Sequence, residues 1–322
     1  MTAFAGLAIL HASVAAALVE ALLQVWRVQR PAERIALRWL ALLAPLVLTP
    51  VYTAFAAFRA EPPFRLTWAL FAGAHWDVLT IFGVPASSAA TFVLVSLGVV
   101  LFVRDISPRL ADRTRTDAGA PSPLRGDQAA RLDRMASDAA ARLGTKVPRL
   151  RLIRRTSPVL LCTGVARPTI EVSARTLDLL DDEALQAALL HETVHLRHRD
   201  PLHGWILIAV RTLQAVNPVA HVVARLIVED IEARADEAVA GLGASPGLAR
   251  AIACLSEPAA HSVTDLSPQP AWRTLLARAR DRAVVDRCDR VLGPTAGARS
   301  HVAPMRMVAA SLGLAVLLFF VV

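Results

Sequence analysis

Apolar positions along this chain follow two patterns. In the N-terminal third they form long runs; farther on they recur at three- and four-residue spacing among charges. The runs cover residues 3–26, 35–58 and 78–103. Each is long enough to cross the hydrocarbon of a bilayer as a helix, which takes ~20 residues. The first is broken by a few polar residues such as His11, Glu20 and Gln24, and Glu20 is expected near the headgroups. The second contains Pro45 and Pro50, which a membrane helix tolerates as a kink. The third has no charge. Between the second and third, Pro62, Pro63, Trp68, His75 and Trp76 give a loop-and-interface character. The tail 307–322 is again uncharged but short of a full span, so the last membrane segment is drawn over 302–322 despite Arg306.

Between these runs the pattern changes. Residues 104–126, with Pro108, Gly119, Pro121 and Pro123 among charges, read as a linker. Asp127 can cap a helix running to about Leu143. Three β-like runs follow at 149–153, 158–162 and 169–173, then a short helix near 174–180. A longer helix is expected from Asp181 to Asp200, with Asp181, Asp182 and Glu183 at its positive end and Pro201 ending it. Asn217-Pro218 has the form of a cap followed by a first helical residue, and that helix runs to about Ala240. Two more helices are expected at 245–256 and 270–292. The fold class is thus mainly α: a polytopic membrane protein with a small α+β domain over 127–301, inserted between membrane helices.

Composition agrees with this division. Hydrophobic residues make up 55% of the 322, yet 19% are charged, so polar and apolar parts must be segregated. The formal net charge of +8 is carried mainly by Arg. These Arg are scattered beside the apolar runs without an aromatic platform, which argues against nucleic acid as a partner. Arg27, Arg30, Arg34 and Arg38 crowd the first loop, and Arg104, Arg109, Arg113 and Arg115 follow the third run. By the positive-inside rule the N-terminus is outside the plasma membrane and everything from residue 104 to the last span is cytoplasmic. The three cysteines, Cys162, Cys254 and Cys288, form no CxxC pair and read as reduced core thiols.

The candidate chemistry sits in His191-Glu192-Thr193-Val194-His195. On a helix, i and i+4 share a face, so the two imidazoles can aim at one metal ion. Glu192 is offset and can reach a metal-held water instead, the arrangement of zinc peptidases. A third protein ligand is needed. The spacing that would place a His at 201 is excluded by Pro201. Glu232 and Asp236, at i and i+4 on the later helix, offer a carboxylate ligand and a partner for the free ring N–H of His191. Glu229 competes for the ligand role, but only Glu232 has an Asp at the right offset. His198 lies on the same side and is read as structural or substrate-side, and Asp200 as pairing an Arg or capping the turn at Pro201. Thr169–Ser173 is expected to be an edge strand that holds substrate, with Ile170 and Val172 as candidate contacts.

Taken together, Ser157-Pro158, the stretch 180–200 ending H-L-R-H-R-D, Asn217-Pro218 and E-A-R-A-D-E-A-V at 232–239 resemble the BlaR/MecR-type membrane metallopeptidases of the gluzincin group. That resemblance implies one Zn2+ per chain held by His191, His195 and Glu232, with Glu192 catalytic, in a cytoplasm-facing domain that cuts a protein or peptide substrate. No penicillin-binding sensor is expected after the last span, so β-lactam sensing is not carried over. The HtpX and CAAX-protease group shares the motif and the later Glu and implies a quality-control peptidase instead. A scaffold without activity is disfavoured, since every residue the chemistry needs is present.

Overall fold

The structure is a computed structural model that describes residues 2–70, 79–114, 126–153, 157–256, 271–293 and 304–322. His75, Trp76 and residues 115–125 of the expected linker lie outside the described residues. The chain is mostly helical with a small sheet, and it divides into two compact units. The first comprises 1–115, 206–232 and 300–322, the second 116–205 and 233–299. The chain segment 206–232, expected within one block over 127–301, therefore groups with the membrane helices. The reason is packing: Leu207, Val210, Ala224 and Ile227 share a core with residues of the first two helices.

In the first unit, α1 (Thr2–Val25), α2 (Pro31–Phe55) and α4 (Ala86–Thr114) supply candidate spans Phe4–Val25, Pro31–Phe55 and Ala86–Asp105. The short α3 (Pro62–Thr67) lies between α2 and α4. The third span begins later than the expected 78. Residues 80–85 instead form a hairpin of β1 (Thr80–Ile81) and β2 (Val84–Pro85). Phe82 and Gly83 make its turn with φ of 52° and 77°, the left-handed values that favour a tight two-residue loop. At its other end α4 runs on to Thr114, into the expected linker. The closing helix α12 (Pro304–Phe319) packs Ala310, Leu314 and Leu318 into the same core as Val19 and Leu37. Arg59 fastens its end, donating to the carbonyls of Leu318, Phe319 and Val321 at 3.0, 2.6 and 2.6 Å. Glu20 is partnered within the bundle: Arg38 donates to it at 2.8 Å and to Asp230 at 2.5 Å. A charge placed in the membrane needs such a partner.

The second unit holds a three-stranded sheet in the order β3 (Arg149–Ile153), β5 (Thr169–Ser173), β4 (Leu160–Thr163). β3 and β5 are parallel, while β4 and β5 are antiparallel. Ile170 and Val172 on β5 are buried against α5 (Gly126–Leu143) and α7 (Asp182–Arg197), with Leu132, Leu185 and Leu189 in the shared cluster. The short α6 (Ala174–Leu179) is capped by Ser173, whose hydroxyl accepts from the Thr176 amide. Helix α7 is capped by Asp181, which accepts from the Ala184 amide at 2.7 Å. It ends at Arg197, earlier than expected, because Arg199 turns left-handed at φ 56°. A new helix, α8 (Asp200–Leu213), starts there. Pro201 thus sits in a first turn, where its missing N–H costs nothing.

Helix α9 (Pro218–Ala240) begins on its Asn217 cap, whose side-chain oxygen accepts from the Val219 amide at 3.1 Å. Then come α10 (Ser245–Ser256) and α11 (Ala271–Leu292). Helices α7 and α10 meet backbone to backbone: a Cβ on Gly247 would stand 2.6 Å from the Glu183 carbonyl oxygen.

Candidate metal centre

Helix α7 carries His191 and His195 on its buried face, each only 6% exposed. Their Nε2 atoms stand 3.0 Å apart, and the rings are nearly perpendicular. Both outer ring nitrogens face a carboxylate. His191 Nδ1 lies 3.2 Å from Asp236, and His195 Nδ1 lies 2.9 Å from Asp200. This fixes the tautomer: each Nδ1 carries the proton and each Nε2 presents a lone pair.

Each carboxylate is in turn gripped by an arginine. Arg287 of α11 donates twice to Asp236, at 2.8 Å each, a bidentate pair. Arg234 of α9 donates to Asp200 at 2.5 Å. Burial pushes the Asp236 carboxyl up, but the hydrogen bonds from His191 and Arg287 overcome it and hold the pKa at about 2. Asp200 behaves the same way: burial raises it, and His195 and Arg234 bring it below the ordinary carboxylate value. Both carboxylates are therefore ionised at neutral pH and keep the Nδ1 protons in place.

Glu232 stands one turn before Asp236 on α9, hence on the same helix face. Ligand atoms of His191, His195 and Glu232 all lie within 4.8 Å of one another, a group that could hold a metal ion. Donors about 2 Å from a tetrahedral zinc stand roughly 3.3 Å apart, close to the observed separation of the imidazole nitrogens. Two imidazoles and one carboxylate leave a fourth position open, the donor set of a hydrolytic zinc site. The competing Glu229 is exposed and is not in this group.

The remaining residues fall into place around it. Glu192 accepts a hydrogen bond from the backbone N–H of Cys162 on β4 at 2.7 Å. Burial, then the nearby Glu192 charge, push the Cys162 thiol far up, so it stays protonated. His198 closes the end of α7, its amide donating to the Val194 carbonyl at 3.1 Å. Burial and then the Arg234 charge lower its pKa. The expected substrate strand is not an edge. β5 is paired on both sides, so Ile170 and Val172 have no free backbone edge to offer. The strand whose edge faces the motif is β4, through Cys162. Arg287 and the Asp200–His195 contact escape sequence reasoning. The Arg lies in an Arg-rich helix without distinctive spacing, and the contact depends on the left-handed bend at Arg199.

Residues 130–244 match the family model described as BlaR1 peptidase M56. That segment contains His191, Glu192, His195, Glu232 and Asp236. The chain is also 32% identical over 126 residues to a protein from Pelotomaculum thermopropionicum (strain DSM 13744 / JCM 10971 / SI) described as "Protease HtpX homolog". The match covers 38% of this chain and 43% of that protein, so the chain spans less than half the length of the relative it matches. The resemblance read from H-E-T-V-H and E-A-R-A-D is thus met by a peptidase family model and a protease relative.

Proposed function

We propose that this protein is a membrane-anchored, zinc-dependent endopeptidase. The observation that carries the reading is the group of buried His191 and His195 with half-buried Glu232, Glu192 being next to His191 in the motif. A zinc ion bound there supplies Lewis acidity, lowering the pKa of a water and polarising a scissile carbonyl. His191, His195 and Glu232 hold the ion, while Asp236 and Asp200 orient the two imidazoles. Glu192 takes a proton at its carboxylate and returns it to the leaving amine. The Cys162 N–H, 2.7 Å from Glu192 Oε2, steadies that carboxylate. An extended substrate is held along the outer edge of β4 by strand addition, in place of the expected Thr169–Ser173.

The parts of the peptidase domain before α8 and after the first half of α9 are cytoplasmic, and the N-terminus is outside, as the Arg placement supports. The substrate is a cytoplasmic or membrane-proximal protein, a transcriptional regulator in a signalling pathway being the leading class. The HtpX-named relative favours membrane protein quality control as the second reading. Glu192→Gln is expected to keep zinc bound and to lose cleavage by about a thousandfold or more, as removal of a general base does. Comparing the proteomes of cells carrying wild type and Glu192→Gln would name the substrate. Wild-type cleavage by the variant would overturn the mechanism.

A further inference from the structure

The helix that follows the metal-binding motif is built inside out. The outward face of α8 and the residues just past it carries Leu202, Trp205, Ile206, Ala209, Leu213 and Val216, all without a charge and five of them large and well exposed. Leu213 is 75% exposed. Thr212, on the same face, spends its hydroxyl on the Ile208 carbonyl at 2.8 Å. The polar residues point the other way: Arg211 and Gln214 are buried beside Leu207 and Val210. In water this arrangement is unfavourable, since large apolar side chains stay wet while a guanidinium is desolvated. In hydrocarbon it is the favourable arrangement.

Two contacts within the first unit act as depth gauges. Gln214 donates to the Leu42 carbonyl at 3.0 Å, and Leu42 lies eleven residues, about 16 Å, along α2 from Pro31. A Cβ on Gly98 would stand 2.3 Å from the Val216 carbonyl oxygen, and Gly98 lies seven residues, about 10 Å, inside the Asp105 end of its span. Both place the α8–α9 turn well inside a hydrocarbon layer ~30 Å thick, roughly between a third and a half of the way across. Irregular backbone survives at that depth only where its polar groups are satisfied by protein. They are here: Asn217 donates to Gln214 at 3.1 Å and caps α9, and His221 Nε2 lies 2.9 Å from the Ala215 carbonyl oxygen. Going back up α9, the first exposed charge after Val222 is Arg225, which lies 3.8 Å from Asp105 at the end of the α4 span.

We infer that α8 and the first half of α9 form a re-entrant hairpin, entering the bilayer beside α4 and leaving on the same side, with the outer face of α8 against lipid acyl chains. The inference rests on reading α1, α2 and α4 as membrane spans. Glu232 lies seven residues beyond Arg225, about 10 Å above the hydrocarbon edge along α9, in the headgroup zone.

The full chain in nanodiscs of phosphatidylcholine and phosphatidylglycerol, one chain per disc, tests this. A water-soluble maleimide would be applied to Ile206→Cys, Leu213→Cys, Val93→Cys and Arg250→Cys variants, and labelling read peptide by peptide by mass spectrometry, leaving the native cysteines in place. Positions 206, 213 and 93 should label at least about tenfold slower than 250, because the reacting thiolate needs water, and the gap should vanish in SDS. Leu213→Cys labelling as fast as Arg250→Cys while Val93→Cys stays slow would overturn the hairpin alone. Fast labelling at 93 as well would overturn the span reading beneath it. All four positions are exposed, so the substitutions disturb no packing. A second copy or an unknown protein cannot supply the shielding, since each disc holds a single chain.

Discussion

His191 and His195 stand one turn apart on the same helix and receive the same support, a carboxylate backed by a guanidinium. The supports come from different distances. Asp200 is five residues from His195, brought round by the bend at Arg199. Asp236 lies on α9, and its Arg287 is 96 residues from His191 on α11. One imidazole is thus tied to a local turn of the chain and the other to the assembly of three helices. Helix α9 serves both, with Asp236 behind His191 and Arg234 behind Asp200. The second unit therefore positions its candidate ligands by redundancy in chemistry and by diversity in origin.

The comparison can be broken at several points. The largest effect is expected from His191→Ala and His195→Ala, which should each drop zinc from one per chain to near zero by metal analysis. Equal losses would show that the origin of the support does not matter once the ligand itself is gone. Asp236→Ala and Asp200→Ala should come next, weakening zinc affinity roughly 10- to 100-fold in a competition titration. Asp236→Ala should have the larger effect on affinity, because Asp236 receives two hydrogen bonds from Arg287 where Asp200 receives one from Arg234. Asp200→Ala should cost more in thermal stability, because it loosens the joint between α7 and α8 and leaves Arg234 without that partner. A reversed order would mean that the local turn, rather than the helix assembly, dominates zinc affinity.

Smaller changes should follow Arg287→Gln and Arg234→Gln. The first removes two charge-assisted hydrogen bonds to Asp236 and the second one to Asp200, each bond worth about 1.5–3 kcal/mol, while the imidazole–carboxylate pair stays in place. Chelation before and after substitution should show retained folding with zinc bound more weakly. The smallest effect is a pH dependence. The folded pKa of Asp236, about 2, lies below the ordinary value of 3.8. Such a depression contributes stability that is present above about pH 4 and is lost as pH falls towards about 2. It amounts to roughly 2 kcal/mol in the metal-free protein. Thermal melts of the chelated protein from pH 5 to 2 should show a shallower decline for Asp236→Asn than for wild type.

What is legible in the sequence follows from periodicity. Glu232 and Asp236 repeat the i, i+4 spacing of His191 and His195, so two helix faces can be matched from spacing alone. Strand order has no such signature. Whether β5 lies at the edge or the centre depends on which strands pair, and the parallel β3–β5 match with β4 on the far side is not written in any single run. The character of α8 is hidden for a different reason. Its 14 residues are short of a full span, and the direction of its apolar face appears only once Arg211 and Gln214 are seen to point inward. Arg287 is out of reach because its neighbours Arg282 and Arg290 look the same in sequence, and only tertiary packing selects one of them.

The contact at Gly247 has a consequence for how this chain can change over generations. Two helix backbones touch there, with no side chain between them, so the position works as a shim of zero thickness. Any replacement would lift the first half of α7 off its seat and tilt the axis along which both imidazoles are aimed. Exposed positions of α10 can drift one at a time, whereas residue 247 can change only together with a re-seating of α7. Tolerance to mutation in this region should therefore fall away most steeply at a residue that touches neither substrate nor metal.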